Sequence, residues 1–269
     1  MRLGYVLLLF AAIYLISVLE PQTATSTDDL LLQRAESAAQ AIAPAWLSNR
    51  MQHGRVVSTD GTVFMDEDEL NNRITAQPRD AARPVLWFDN LRRTTTMSAM
   101  GVDKRHHFAN SYLLGYEPFK TDNSWMPLYI LASRKIYQYD HEQYFLDDIW
   151  QNSAQAYYQL RGDCEDHAIV LADWLIASGI DARVVVGRYR GEGHAWVVAY
   201  SGGQAFLLEA TDKRRYRNWN HYPLASLSRG YEPDYMFNRS TFWRNTAAGQ
   251  SAGYSANHWQ EASFFASHN

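Results

Sequence analysis

Residues 163–212 contain one helical pattern followed at once by three strand patterns, and this order restricts the fold more than any other feature of the sequence. In residues 163–179 apolar side chains recur at helical spacing, and Gly179 follows them as a stop signal. Three segments rich in β-branched and other apolar residues come next, at residues 182–189, 194–200 and 205–211. Short glycine-containing turns separate these segments, so they are expected to pair antiparallel. We therefore predict an α+β fold in which the helix packs on an antiparallel sheet.

Cys164 lies at the start of this predicted helix and is the only cysteine in the chain. A lone cysteine forms no intramolecular disulfide, so it is either a small buried apolar residue or a reactive thiol. The unpaired amides and the positive dipole end of a helix N-terminus favour an anion, which predicts a lowered thiol pKa. Asp163 is placed to cap this helix, and Asp166 stands where the partner in a capping box is found.

His194 starts the second predicted strand, and an acidic residue follows on the third. Pairing across the turn at residues 201–204 puts Trp196 opposite Glu209. Because side chains alternate along a strand, His194 and Glu209 share one face and are diagonal neighbours. A carboxylate there could orient the imidazole and stabilise its protonated form. Asp212 points to the opposite face unless a bulge shifts the register, and it is the alternative third residue.

Three short motifs in this region resemble those of the transglutaminase-like superfamily. They are GDCEDHA at residues 162–168, GHAW at residues 193–196 and LLEATD at residues 207–212. The similarity covers residues 136–213 and is greatest to the bacterial transglutaminase-like cysteine proteinases. It implies a papain- or transglutaminase-like core with Cys164 as nucleophile, His194 as general base and acid, and Glu209 as the third member. Relatives usually have aspartate, in a Leu-Asp-Pro-Thr context, at the position of Glu209.

Two further sets of groups are considered as assisting the cysteine. The oxyanion would be stabilised by the Cys164 amide and a second donor, for which Gln151 and Gln159 are the candidates. Some periplasmic relatives bind calcium through acids that flank the cysteine, and three acids match those positions: Asp163, Glu165 and Asp166. Two interpretations of these acids stay open, since first-turn acids suit any helix N-terminus. No cofactor is expected to be required, and calcium is the one ion considered.

The predicted activity is acyl transfer by a cysteine hydrolase, a peptidase or amidase that acts on a protein or peptide. The thiolate would attack an amide or ester carbonyl, and water or an amine would release the acyl-enzyme. Hydrolysis is the simpler expectation for a domain that faces water on the far side of the membrane. The alternative is a catalytically weak or inactive domain of the same fold that serves as an interaction subunit of a membrane assembly, since a fold does not determine a function. The glutamate at position 209 keeps this alternative open.

The N-terminus carries a membrane-targeting pattern. Arg2 precedes an apolar run at residues 3–19, and Asp28 and Asp29 follow it. This pattern predicts an uncleaved single-pass anchor in the inner membrane with the rest of the chain on the periplasmic side. The expected divisions are a signal anchor at residues 1–20, a linker at 21–27, a helical N-terminal extension at 28–123, the catalytic core at 124–213 and a C-terminal extension at 214–269.

Composition and the remaining motifs exclude other classes. A net charge of −4 and a pI near 6.1 provide no basic surface, so nucleic-acid binding is not expected. The adjacent pair His106 and His107 points to two sides of any regular element and does not predict a metal site. The acidic residues at 66–69 are expected to be solvated surface. Residues 55–65 form a predicted hairpin around Asp60 and Gly61, and the spaced aromatic residues at 125–150 are expected in the core.

Overall fold

The computed structural model describes residues 51–75, 86–87, 94–213, 222–247 and 253–267. The predicted signal anchor, the linker and a predicted helix at residues 28–43 lie outside the described residues. Among the described residues, no helix combines the length and the apolar character that crossing a membrane requires.

The first part of the described chain contains more strands than helices. β1 (Gly54–Ser58) and β2 (Phe64–Asp66) form the predicted hairpin, and Gly61 in its turn has a φ of 74°. Helix α1 (Glu67–Thr75) follows, and a small antiparallel sheet then contains β3 (Leu86–Trp87), β4 (Met97–Met100) and β5 (His106–Phe108). The prediction of a helical N-terminal extension is therefore wrong for most of the described residues, because strands too short to show a clear period are stabilised by distant partners.

The central part contains the helices. These are α2 (Met126–Arg134), α3 (Asp140–Gln143), α4 (Ser153–Tyr158) and the long α5 (Cys164–Ala177). Between them β6 (Ile136–Tyr137) pairs in parallel with β7 (Arg161–Gly162). Helix α5 coincides with the predicted helix, and Gly179 beyond its end has a φ of 83°, which suits the stop that the sequence indicates.

One eight-stranded antiparallel sheet organises the molecule, which confirms the predicted combination of helices with a large antiparallel sheet. Its remaining strands are β8 (Asp181–Tyr189), β9 (Glu192–Ser201), β10 (Gln204–Leu208), β11 (Tyr231–Phe237), β12 (Thr241–Asn245) and β13 (Trp259–Ser267). The strand order is β10-β9-β8-β11-β12-β13-β1-β2. The predicted core thus supplies β8, β9 and β10, while both predicted extensions complete the same sheet.

Helix α5 packs on β8 and β9, which is the arrangement that the sequence predicts. Its apolar residues are buried, and Trp174 is fully enclosed between the rings of Phe119 and Tyr157. The turn between β9 and β10 pairs Ser201 with Gln204, the register predicted from the sequence. This packing fixes the start of α5 beside the start of β9, so the thiol and the imidazole come from neighbouring elements.

Candidate active site

Cys164 is the first residue of α5, directly after the short strand β7. Its sulfur accepts a hydrogen bond from the backbone amide of Ala195, the residue after His194, and contacts Glu165 Oε2 at 3.3 Å. Asp163 occupies the N-cap position, but its side chain makes no capping hydrogen bond. The predicted capping box is therefore wrong, because both acids, Asp163 and Asp166, turn toward a separate cluster of carboxylates described below.

His194 is held on β9 by a carboxylate. Its Nε2 lies 2.9 Å from Glu209 Oε2, and the two side chains are only 15% and 19% exposed. This bond assigns Nε2 to the glutamate and leaves Nδ1 as the other ring nitrogen. Among the hydrogen bonds of the described residues, none joins the Cys164 thiol to the His194 ring. Such contacts are often long in ligand-free enzymes and shorten only when substrate binds.

Glu209 follows the last residue of β10 and accepts several hydrogen bonds. The Thr211 hydroxyl donates to Oε1 at 2.8 Å, and the Tyr231 hydroxyl donates to Oε2 at 2.9 Å. Burial alone would raise the pKa of Glu209, but the hydrogen bonds from His194, Thr211 and Tyr231 hold that pKa below its usual value. Glu209 is therefore an ionised acceptor for the imidazole. Asp212, the alternative third residue, lines the same cavity as His194, but the carboxylate that accepts the hydrogen bond of His194 is that of Glu209.

The pKa of the Cys164 thiol differs from the lowered value expected at a helix N-terminus. Burial, together with the charge of the Asp163 carboxylate, raises the thiol pKa to about 12, and the Ala195 amide and Glu165 offset this rise only in part. The prediction of a lowered thiol pKa is wrong, because desolvation and nearby negative charge outweigh the dipole of the helix N-terminus.

Four carboxylates converge beside the thiol, and one of them was not predicted. Asp140, Asp163, Glu165 and Asp166 each offer one oxygen, and these oxygens lie within 4.8 Å of one another. Each residue also has one buried oxygen without a hydrogen-bond partner. Burial raises the pKa of Asp140 to about 8, and it raises the pKa of Glu165 and of Asp166 well above the usual value. The carboxylates have the chemistry and spacing of a hard-cation site.

The two glutamine candidates for the oxyanion hole have other partners. Gln151 is buried, and its Nε2 donates to the Arg161 carbonyl at 3.0 Å. The Gln159 side-chain oxygen accepts from Gln143 and from Tyr144. Neither side chain is hydrogen-bonded to the thiol, so their role in the oxyanion hole stays a prediction.

Aromatic side chains surround the site. A cavity of about 470 Å³ opens on His194 and Glu209 and is lined by Tyr189, Tyr222 and Tyr231. On the other side, three aromatic residues that were predicted in the core are exposed close to α5: Tyr137, Tyr139 and Phe145, the last with 88% of its surface exposed. The sequence did not predict that these residues are exposed. A repeating pattern shows on which side of an element an aromatic residue lies, but its exposure depends on which other elements cover that side.

A family model described as the CEP76 peptidase-like domain matches residues 148–263, a stretch shorter than half of the chain. The matched segment contains Cys164, His194 and Glu209. The resemblance to the transglutaminase-like superfamily is confirmed. The match describes this segment as similar to a peptidase-like domain, and whether the segment is active is a separate question.

Solved structures of LapG from Legionella pneumophila are similar to part of this chain. Calcium-bound LapG is 20% identical, covers 52% of this chain and 89% of its own, and gives a TM-score of 0.37. EGTA-treated LapG is 20% identical, covers 56% and 80% respectively, and gives a TM-score of 0.38. TM-scores this low do not establish a common fold in detail. Among curated proteins, none matches the chain by sequence.

Proposed function

We propose that this chain is a transglutaminase-like cysteine hydrolase that cleaves an amide bond of a protein or peptide substrate through Cys164, His194 and Glu209. One observation carries the proposal. Glu209 binds Nε2 of His194, while the amide of the next residue, Ala195, donates to the sulfur of Cys164. These two contacts support the assignment of a thiol, its base and an orienting carboxylate to the three residues.

The roles of the three residues follow from their hydrogen bonds. Because Glu209 accepts a hydrogen bond from the N–H group at Nε2, the neutral imidazole has its lone pair on Nδ1. His194 would take the thiol proton on Nδ1, and the Cys164 sulfur would form a bond with the substrate carbonyl carbon. The imidazolium would then protonate the leaving amine, and a water molecule activated by the same nitrogen would release the acyl group.

The carboxylate cluster makes calcium a further part of the proposal. Asp140, Asp163, Glu165 and Asp166 would hold the ion through their oxygens without other partners. A bound cation supplies positive charge that offsets the carboxylates. The chain's own contribution is to hold these acids close to the Cys164 sulfur, where the negative charge of Asp163 otherwise disfavours a thiolate.

The aromatic surroundings support a substrate with apolar side chains on both sides of the cleaved bond. Tyr137 and Tyr139 pack edge to face at 5.2 Å and stay exposed, and Tyr189 and Tyr231 pack at 4.4 Å beside the cavity. Exposed aromatic pairs of this kind bind apolar groups and extended peptides.

The proposal includes the location predicted from the sequence. Residues 3–19 would anchor the chain in the inner membrane as a single span, with the catalytic residues on the periplasmic side. A membrane-protein partner remains part of this hypothesis. The alternative of an inactive accessory domain is not favoured by a family match described as peptidase-like.

The decisive experiment traps the acyl-enzyme. Membranes that contain the full-length chain are treated with a peptide-derived electrophilic probe, with calcium or with EGTA, and the labelled residue is identified by mass spectrometry. We expect labelling of Cys164 in the wild type, none in Cys164→Ala, and a loss of at least about 100-fold in labelling rate in His194→Gln.

His258→Gln is the matched control, since His258 lies far along the chain just before β13, and it should label like the wild type. Equal labelling rates in His194→Gln and in the wild type would contradict the proposed general base. Labelling that persists at another residue in Cys164→Ala would contradict the proposed nucleophile.

A further inference from the structure

A second cluster of metal-ligand side chains lies where three segments of the chain meet. His53 precedes β1, Glu67 is the first residue of α1, and His107 is in β5. One ligand atom from each residue lies within 4.8 Å of the other two. The sequence did not predict this cluster, because its members are distant in the chain and Glu67 was expected to be solvated. Glu67 is in fact buried, with 6% of its surface exposed.

Glu67 stands between the two imidazoles. Its Oε2 lies 2.5 Å from Nδ1 of His53, and its Oε1 lies 3.2 Å from Nδ1 of His107. The His53 side chain is 64% exposed, whereas those of Glu67 and His107 are 7% and 1% exposed. Two nitrogens and one oxygen thus converge at a point that is enclosed on the protein side and open to solvent at His53.

A fourth residue orients His107. Its Nε2 lies 2.9 Å from Asp103 Oδ2, so the ring donates its Nε2 hydrogen to this carboxylate and directs Nδ1 at Glu67. Histidines that bind metals almost always donate their other ring hydrogen to a carboxylate or a carbonyl in this way. The Asp103 side chain is itself fixed, since its other oxygen accepts from the Arg105 amide at 3.0 Å.

The backbone around the cluster is held firmly. The Asn71 side chain donates to the carbonyls of Glu67 and His106 and accepts from the His106 amide, which ties α1 to β5. A side chain at Gly101 would approach the His107 ring to 3.2 Å, so glycine at this position gives the ring its space. Only His53 has freedom to adjust when a ligand binds.

We propose that His53, Glu67 and His107 form a binding site for a divalent transition metal of the zinc class, with one position left for water. Two imidazoles and a carboxylate are a typical ligand set for zinc, and ligand atoms around tetrahedral zinc lie about 3.3 Å apart. Imidazole nitrogens do not suit calcium, which distinguishes this site from the carboxylate cluster beside Cys164. The bound metal would connect the segment before β1 to β5.

The competing explanation is an ion-pair network without metal. In that case His107 is an imidazolium held between Glu67 and Asp103, and the exposed His53 adds little. In this network Nδ1 of His107 carries a hydrogen that it donates to Glu67, whereas a metal ion binds the lone pair of a deprotonated Nδ1, so the two states exclude each other. Removing His53 distinguishes them, because the network keeps both of its ion pairs without His53 and a metal site does not keep its affinity.

The experiment uses the full-length chain in detergent with Cys164→Ala, so that the thiol cannot bind the probe. Cobalt(II) is titrated into metal-free protein, and the visible absorption of tetrahedral cobalt is measured, with zinc as competitor. We expect one equivalent to bind, His53→Ala to weaken binding at least 10-fold, and Asp103→Asn to weaken it about 10-fold to 100-fold.

His141→Ala, which removes an exposed histidine outside the cluster, is the control and should bind cobalt like its parent. Circular dichroism confirms that each variant is folded, and the exposure of His53 makes its removal structurally mild. No cobalt binding by the parent chain, or equal binding by His53→Ala, would overturn the proposal in favour of the ion-pair network. Activity at Cys164 plays no part in this readout.

Discussion

The glutamate at position 209 reaches two structural elements at once. Its carboxylate accepts from His194 on β9 and from Tyr231 on β11, and both donors meet the same oxygen. The extra methylene of glutamate, compared with the aspartate usual in relatives, extends the carboxylate from the end of β10 toward these donors. The departure from the family motif is thus accompanied by hydrogen bonds that hold the longer side chain in place.

Substitutions of Glu209 test this explanation. Glu209→Gln replaces an ionised acceptor with a neutral amide, so we expect kcat/KM to fall about 10²-fold to 10⁴-fold. Glu209→Asp keeps the charge but shortens the reach, and we expect an intermediate loss. Hydrolysis of a peptide substrate under the same calcium concentration measures both. Full activity in Glu209→Gln would show that the carboxylate does not act on the imidazole.

The Tyr231 hydroxyl affects how strongly the Glu209 carboxylate accepts a hydrogen bond from the imidazole. Removing it in Tyr231→Phe takes away one of the hydrogen bonds that lower the pKa of Glu209, so Glu209 becomes a stronger acceptor for the imidazolium. We expect the acid limb of the pH profile of kcat/KM to move to higher pH, with a loss of about 3-fold to 10-fold on that limb. Tyr235→Phe on the same strand is the control, and an unmoved profile in Tyr231→Phe would contradict the prediction.

Helix α5 is attached to the sheet by a buried ion pair as well as by apolar packing. Asp173 is fully buried, and its carboxylate accepts from Arg239 Nε at 2.7 Å and from the amides of Gly115 and Tyr116. Arg239 belongs to the turn between β11 and β12, so this cluster connects helix α5 to a part of the sheet that the sequence analysis placed outside the core.

Arg239→Ala should therefore destabilise the folded protein. The change leaves a buried carboxylate without its cation, and we expect the free energy of unfolding to fall by about 3 kcal/mol or more. Arg105→Ala removes an arginine from a solvent-exposed pair with Asp68 and should cost at most about 1 kcal/mol. Urea denaturation of both variants measures the difference. Equal costs would mean that the Asp173 carboxylate is satisfied by the two amides alone.

The elements that the sequence predicts well are those whose stabilising partners are near in the chain. The local spacing of apolar residues predicts helix α5 and strands β8 to β10. One short turn at residues 201–204 predicts the register between β9 and β10. The capping of α5 was not predictable, because Asp163 turns toward Asp140, a residue of a different helix. Likewise, the raised pKa of Cys164 results from burial, which a helix position in the sequence does not show.

For the whole molecule, the acids beside Cys164 make stability depend on pH. The pKa of Asp140 rises from 3.8 to about 8 and that of Asp148 to about 7, chiefly because both are buried. The folded chain therefore binds more protons than the unfolded chain between these values. The contribution of this proton uptake to the free energy of unfolding is fully present below pH 3.8, and it is lost as the pH rises toward 8.

We expect the melting temperature in EGTA to fall by several degrees between pH 5 and pH 8, and calcium to reduce this dependence, since a bound cation replaces the protons. Differential scanning calorimetry of the full-length chain in detergent measures both curves. Identical curves with EGTA and with calcium would show that the carboxylate cluster does not bind the ion.

The architecture as a whole was only partly predictable. The motifs identify the helix and three strands that carry Cys164, His194 and Glu209, but the other strands of the main sheet pair over long separations. Tyr231, which contacts both Glu209 and the aromatic cavity, belongs to one of these distant strands. Tyr231 reaches Glu209 because β11 pairs with β8, and the sequence offers no local signal for that pairing.

The pairing of β1 with β13 has a consequence for synthesis of the chain. Gly54 lies opposite Ser267, so β1 occupies a place in the sheet between β2 and a strand that is translated more than two hundred residues later. While the residues after β2 are still being translated, β1 has only one of its two neighbours, β2, and a two-stranded hairpin alone is marginal in water. The sheet is complete only after residues 259–267 have left the ribosome, and until then β1 presents an unpaired edge to chaperones and proteases.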